Sequence, residues 1–384
     1  MANFDDFLEQ TRALTREVFI PHEAQMEEEG DVPENVMHAI RSSGLFAISI
    51  PEAYGGLQFT QEQQVQLTFE FTYASSAYRS IFSTTIGLCS QAILDFGTEG
   101  QREQHLPAMA AGECIGAFCL TEPEAGTDAG ALQTTAVETG HDYVINGRKR
   151  YITNASIADV FVLMARTDPA TTGTGGISAI LVDPRTPGIE VNRMTKLLGQ
   201  RGTVVDEIAF SDCRVPITNL VGTQEGLGLR AALRGINHAR THVAATAVGQ
   251  ATRILDEALA YARERQQFGQ PIGEFGTIQA LLADSYAEIQ AAKAMTLEAA
   301  RLFDAGVESG QLPTTQIAAA KYYATEMVTR VADRAVQVLG GKGFVEDNII
   351  TQFYRDTRLF RLFEGTSQIQ QRNIARAIMR GDVA

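Results

Sequence analysis

Tyr143-Val-Ile-Asn-Gly-Arg-Lys-Arg-Tyr-Ile-Thr153 is the stretch on which the fold turns. Two β-prone runs, Tyr143-Val-Ile145 and Arg150-Tyr-Ile152, flank an Asn146-Gly147 step. Asn-Gly between such runs predicts a hairpin, because both residues tolerate the positive φ of a tight turn. The runs Val160–Met164, Ile177–Val182 and Glu207–Phe210 are equally short and are separated by Gly, Asn, Asp and Pro. Together they predict a β-barrel or small sandwich from about Glu113 to Gly222. On both sides the apolar period lengthens to that of a helix. Val36, Ile40, Phe46, Leu67, Phe71, Leu88, Ile93 and Leu94 mark it before the strands, with breaks at Pro21, Pro33 and Pro51–Gly56. After Gly226 the spacing predicts long alanine-rich helices over Ala231–Arg265, Thr277–Ala305, Thr314–Leu339 and Gln368–Arg380. The expected fold is α+β and multidomain: an N-terminal helical domain (1–112), a middle β-barrel domain (113–222) and a C-terminal helical bundle (223–384).

The bulk properties narrow the function classes. A chain of 384 residues holds more than one core, and 45% hydrophobic with 20% charged residues is ordinary for a globular enzyme. A formal charge of −14 argues against a nucleic-acid surface or a polybasic membrane patch, though local basic residues can still meet an anionic substrate. No run reaches the roughly 18 apolar residues of a membrane span. The acidic, amphipathic start, Met-Ala-Asn-Phe-Asp-Asp, is neither a secretory signal nor an Arg-rich transit peptide. Cys89, Cys114, Cys119 and Cys213 lack zinc spacing and sit in apolar stretches, so they read as reduced thiols of a cytoplasmic protein. No H-E-x-x-H pattern occurs among the six histidines, and no metal site is expected.

Five short motifs could carry chemistry, and each also has a plain structural reading. Phe363-Glu-Gly-Thr-Ser-Gln368 sets Glu364 on a turn between helices, with Gly365 freeing the backbone and Thr366 a candidate N-cap. A carboxylate there can serve as a general base or as a capping or solvated residue. Thr121-Glu-Pro-Glu-Ala-Gly-Thr-Asp128 follows a strand expected over Ile115–Leu120; its amides and hydroxyls could wrap a polar cofactor edge, or form a turn. Arg150-Tyr-Ile-Thr-Asn154 puts Tyr151 and Thr153 on one strand face, able to flank a planar ring or to be ordinary barrel residues. Glu264-Arg-Gln-Gln-Phe-Gly269 reads as a helix C-terminus with a C′-type glycine, where Arg265 could meet phosphate or complement the helix dipole. Gly340-Gly-Lys-Gly-Phe344 lacks the G-K-[ST] of a phosphate loop and remains a helix end with exposed amides.

In this order, with Pro51-Glu-Ala-Tyr-Gly-Gly56 before them and Gln337 ahead of Gly340, the motifs resemble the acyl-CoA dehydrogenase family over nearly the whole chain. The resemblance implies helical domains clasping a β-barrel around FAD. It implies flavin contacts from Phe118, Leu120, Thr121, Gly126 and Thr127. Tyr151 matches a flavin-stacking position more often held by Trp, a residue this chain lacks, and Thr153 falls near the hydride-accepting nitrogen. Arg265, Phe268, Gln337, Gly340 and Gly341 would meet the ADP half of FAD in a neighbouring subunit, with Thr366 and Gln368 adding further contacts. The usual Phe-Gln pair reads Phe275-Gly276 here, which implies a rearranged adenine-side contact. Glu364 matches the catalytic base; the alternative position for a base, just before Arg240, holds Ala239.

On the substrate side the resemblance places Thr127, Arg240 and Gly365. Tyr78-Arg-Ser80 with Ser83, and Asn237-His-Ala-Arg240, are similar to glutaryl-CoA dehydrogenases, in which an arginine at the position of Arg79 holds a distal carboxylate. A structural arginine is the other reading, and short- or medium-chain acyl-CoA the other substrate class. The implied reaction is α,β-dehydrogenation of an acyl-CoA, with electrons passing to an electron-transferring flavoprotein and the chain forming a homotetramer. A non-catalytic flavin- or acyl-CoA-binding subunit and an acyl-CoA oxidase are the rival readings.

Overall fold

The computed structural model describes residues 3–168, 170–171 and 173–382. The N-terminal part is helical: α1 (Phe4–Leu14), α2 (Glu23–Glu29), α3 (Glu34–Ser42), α4 (Gln61–Phe71), α5 (Ser76–Thr84), α6 (Ser90–Phe96) and α7 (Glu99–Ala110). Local chemistry sets the boundaries. Thr60 and Thr98 form capping boxes with Gln63 and Gln101, which satisfy the amides opening α4 and α7. The apolar stripes meet in an aromatic core, where Phe46 and Phe71 pack edge-on against Phe82 and Tyr78 lies on Phe19.

The middle part holds β1 (Gly116–Cys119), β2 (Thr135–Thr139), β3 (Asp142–Thr153), β4 (Val160–Arg166), β5 (Ile177–Val182), β6 (Ile189–Arg193) and β7 (Val205–Pro216). The hairpin expected at Asn146-Gly147 is wrong. The chain runs straight through that step as one 12-residue strand, β3. Its turn lies earlier, at Gly140-His141, which joins the paired residues Thr139 and Asp142. Asn146 instead secures a bulge in β7. Its side chain accepts from the Asp212 amide at 2.9 Å and donates to the Asp212 carboxylate at 3.1 Å, while Asp212 sits at φ 49°. Gly147 answers to space, since a Cβ there would lie 2.4 Å from Thr134 Oγ1. A second bulge, between Lys149 and Ile152, leaves Tyr151 at φ 60°. β3 pairs with β2 and β7, β7 with β6, and β4 with β1, β2 and β5. Among the described residues no ladder joins β5 to β6, so the sheet is a curled half-barrel rather than a closed barrel.

The C-terminal part is helical again. It contains α8 (Gly228–Glu264), β8 (Gln266–Gln267), β9 (Gln270–Pro271), α9 (Gly276–Ser309), α10 (Thr314–Leu339), α11 (Ile349–Thr357) and α12 (Ser367–Arg380). Alanines such as Ala247, Ala251, Ala324 and Ala332 line the contact between α8 and α10, and Ile254, Met327 and Val331 fill it. Gly269 does not cap α8 as its position suggested. Arg265 leaves the helix in extended conformation, and Phe268 (φ 53°) with Gly269 (φ 82°) turns the small β8–β9 hairpin. Among the described residues no helix is long and apolar enough to cross a membrane.

The three parts are stapled where the site lies. Asn154, at the end of β3, donates to the carbonyls of Ser80 and Ile81 on α5, and the Gly116 amide donates to Thr85 Oγ1. Asp356 of α11 accepts from the Gln200 amide, whose side chain reaches Ser76 at 2.6 Å. One buried apolar cluster spans all three, with Leu88, Phe118 and Ala239 as members.

Candidate active site

Glu364 lies between the short helical turn Arg358–Arg361 and α12. Its φ is 53° and that of Gly365 is 87°. A left-handed glutamate is uncommon and persists only when its surroundings hold it. Here three helices do. The Glu364 carbonyl accepts from Arg240 Nε of α8 at 3.0 Å and from Gln370 Nε2 of α12 at 3.1 Å. The Gly365 carbonyl accepts from Lys321 Nζ of α10 and again from Gln370 Nε2, both at 2.9 Å. Arg240 is itself held by Asn237 Oδ1 at 2.7 Å, and Thr366 caps α12 by accepting from the Ile369 amide. Both carbonyls therefore face the helices, and the N–H groups of those two trans peptides, those of Gly365 and Thr366, point the other way. Among the described residues neither the Glu364 nor the Gly365 N–H donates to a backbone carbonyl. A side chain on Gly365 would be strained at this φ, and its Cβ, 2.9 Å from Gln370 Nε2, would displace the amide that holds both carbonyls.

The electrostatics match a poised carboxylate. Burial pushes the Glu364 carboxyl above its ordinary range, and Arg240, Arg79 and Lys321 pull it back. Arg79 projects from α5, and burial pushes its guanidinium down to about 10 while Glu364 attracts it. With Ser83, Phe82, Ala239 and His242 it lines a narrow cleft. The neighbouring imidazoles give Arg79 no counter-charge. Burial draws His238 down to about 4 and His242 well below 6.5, and His242 is tied to Thr68 Oγ1 at 3.1 Å and Gln64 Oε1 at 3.2 Å. Both rings stay neutral at physiological pH.

On the β side, the Thr121–Thr134 loop is pinned by a buried pair that the sequence motifs did not single out. Glu122 accepts from the Gln133 and Thr134 amides at 2.6 and 3.0 Å and pairs with Lys149 at 2.7 Å. Lys149 also donates to the Leu120 carbonyl at 3.0 Å. Burial raises the Glu122 carboxyl, but Lys149 and these donors outweigh it and hold the group low. Phe118 is buried beside Ala239 and Leu120 packs on the same cluster. The Arg150 amide donates to the Thr121 carbonyl at 2.9 Å, so the loop and β3 lie side by side. Gly126 and Thr127 are exposed and nothing lies within 4 Å of a Gly126 Cβ. Tyr151 is 57% exposed, with Thr153 on the same face. An open aromatic face, free hydroxyls and a glycine-backed loop fit a planar, polar cofactor.

The remaining candidates stand elsewhere. Arg265 and Phe268, the latter 92% exposed, occupy the far end of α8. Gln337, Gly340 and Gly341 join them there, because Lys342 lies 5.2 Å over the ring of Tyr261. Arg265 follows Arg240 by seven turns, about 38 Å along the axis. One chain therefore does not bring this set to its own Glu364; Thr366 and Gln368 do lie at the Glu364 end. Lys321 and Gln370 belong to no motif of the sequence, yet both hold the turn. For Lys321 a signal existed: a lysine on the buried stripe Ile317, Ala324, Val328 of an otherwise apolar helix face.

Comparison with known proteins gives the family. The chain matches the acyl-CoA dehydrogenase N-terminal domain over residues 3–113, the middle domain over 117–213 and the C-terminal domain over 226–379. It belongs to the acyl-CoA dehydrogenase family and is an FAD-dependent oxidoreductase of that family. It is 37% identical to the "Probable acyl-CoA dehydrogenase YngJ" of Bacillus subtilis, covering 97% of each chain. It is 35% identical to the caffeyl-CoA reductase-Etf complex subunit CarC of Acetobacterium woodii, covering 98% of this chain and 96% of that one. A solved glutaryl-coenzyme A dehydrogenase in complex with glutaryl-CoA superposes with a TM-score of 0.93 at 32% identity, over 99% of this chain and 96% of the other.

Proposed function

We propose that the chain abstracts the α-proton of an acyl-CoA thioester with Glu364. The observation that carries this is the left-handed Glu364-Gly365 turn, anchored through both carbonyls with its carboxylate among three cations. Holding the backbone from behind fixes the carboxylate, and the Glu364 N–H, which donates to no backbone carbonyl among the described residues, is free to donate to the thioester oxygen as charge develops there. Partial burial keeps the carboxylate weakly solvated and hence more basic. FAD, when bound, accepts the β-hydride. Phe118, Leu120, Thr121, Gly126, Thr127, Tyr151 and Thr153 would hold its ring and ribityl chain. Arg265, Phe268, Gln337, Gly340 and Gly341 would hold the ADP half of a neighbour's FAD, which implies a dimer at least and a homotetramer of two such pairs. Arg240 serves as an anchor of the base loop in this reading. Electrons would leave to an electron-transferring flavoprotein, a reading favoured by the likeness to CarC. Anaerobic mixing of the yellow protein with a panel of acyl-CoAs, while flavin absorbance is followed, tests the reaction; bleaching by none of them would overturn it.

The cleft favours a dicarboxylic substrate such as glutaryl-CoA. Arg79 lines it without an ion pair among the described residues, beside imidazoles that stay neutral. A substrate carboxylate would give it a partner at ion-pair distance, with Ser83 on the same wall.

A further inference from the structure

Lys321 occupies a place where a lysine is costly. Its side chain is fully buried on α10, in line with Ile317, Ala324 and Val328. An ammonium in such a place requires compensation, and an apolar residue of like volume would require none. Among the described residues no carboxylate lies within ion-pair distance of Nζ, which donates to the Gly365 carbonyl at 2.9 Å. Glu326, on the same helix, is engaged by Arg361 at 2.8 Å and Ser367 at 2.6 Å. The carbonyl itself already has a neutral donor in Gln370, so satisfying it does not call for a charge. The carboxylate whose charge acts on it most strongly is Glu364, the residue before the carbonyl it holds.

We propose that Lys321 is a positioning residue for the base: it locks the Gly365 carbonyl toward the helices and supplies positive potential that keeps Glu364 ionised for proton abstraction. This rests on Glu364 being the base. The charged groups facing that carboxylate are Arg79 from α5, Arg240 from α8 and Lys321 from α10. Arg240 grips one carbonyl of the turn and Lys321 the next, so the two act on successive peptides. Removing a nearby cation disfavours the carboxylate form. Since that form is the base, the acidic limb of the rate must move to higher pH.

Holoenzyme is mixed anaerobically with glutaryl-CoA or butyryl-CoA, whichever bleaches wild type faster, and the single-turnover rate is followed against pH. Lys321→Met removes donor and charge; Lys321→Gln keeps a donor and loses the charge. Both variants are expected to shift the acidic limb upward. Lys321→Met should also lose roughly tenfold in plateau rate through a looser turn, and Lys321→Gln should recover most of that. Wild-type limbs in both variants would overturn the proposal, and if Lys321→Met does not fold, the limb of Lys321→Gln decides alone. Glu364→Gln serves as the control. Should it still reduce flavin, the base lies elsewhere and both readings fall; should it be inactive while the limbs stay put, only the role of Lys321 falls.

Discussion

Arg79→Ala separates substrate recognition from scaffolding. Arg79 is half-buried, lines the cleft with Ser83 and His242, and has no ion-pair partner among the described residues. Truncating one member of a desolvated charge pair costs about 2–5 kcal/mol. Because Arg79 retains some exposure, we take the lower part of that range, about 2–3 kcal/mol, which is a loss of roughly 30- to 150-fold. The assay is the ratio of kcat/KM for glutaryl-CoA to that for butyryl-CoA, in wild type and variant. The ratio is expected to fall by that factor, with both rates read on the high-pH plateau, where the upward shift of the Glu364 limb caused by losing this cation affects neither substrate. Equal losses on both substrates, together with a lower Tm, would refute the reasoning and leave Arg79 a structural residue and a short- or medium-chain acyl-CoA the substrate.

Two further outcomes follow from buried charges outside the cleft. Lys149→Met strands the buried Glu122 carboxylate and should cost about 3–5 kcal/mol with easier loss of FAD, whereas Lys149→Met with Glu122→Gln should recover much of it; denaturant unfolding and flavin retention on dialysis check this. Burial raises Asp356 to about 7, and Glu23 likewise. A carboxyl with a raised folded pKa binds protons more readily folded than unfolded, so stability should fall as pH rises from about 4 to 7. Asp356→Asn should flatten that slope and add about 1–3 kcal/mol at pH 8 relative to pH 5, measured by urea unfolding.

Much of the architecture was legible from periodicity, and the misreadings have local causes. The helix of Thr314–Leu339 declared itself through its apolar stripe, and strands such as β4 and β5 through short, largely apolar runs bounded by turn residues. Asn146-Gly147 misled because its turn chemistry serves other ends here, a side-chain clamp on the β7 bulge and a close approach to Thr134. Phe268-Gly269 misled in the opposite sense, being a hairpin turn where a helix cap was expected. At the site, Glu364 and Thr366 stood out as a turn and a cap, but the left-handed backbone and its four carbonyl hydrogen bonds depend on α8, α10 and α12 converging. Spacing along a chain does not encode such convergence. The Glu122–Lys149 pair was hidden because Lys149 looks like one basic residue in a basic run, and a hairpin expected at Asn146-Gly147 breaks the alternation that sets Lys149 on the buried face with Tyr143 and Ile145.

The most direct measurement is single-turnover flavin reduction by Glu364→Gln. Glutamine keeps the size, the left-handed turn and the backbone N–H, and loses only basicity. FAD content and the flavin spectral change on acyl-CoA binding should remain, while the reduction rate should drop by roughly 10²–10⁴-fold. A rate within a few fold of wild type would mean that another group takes the proton.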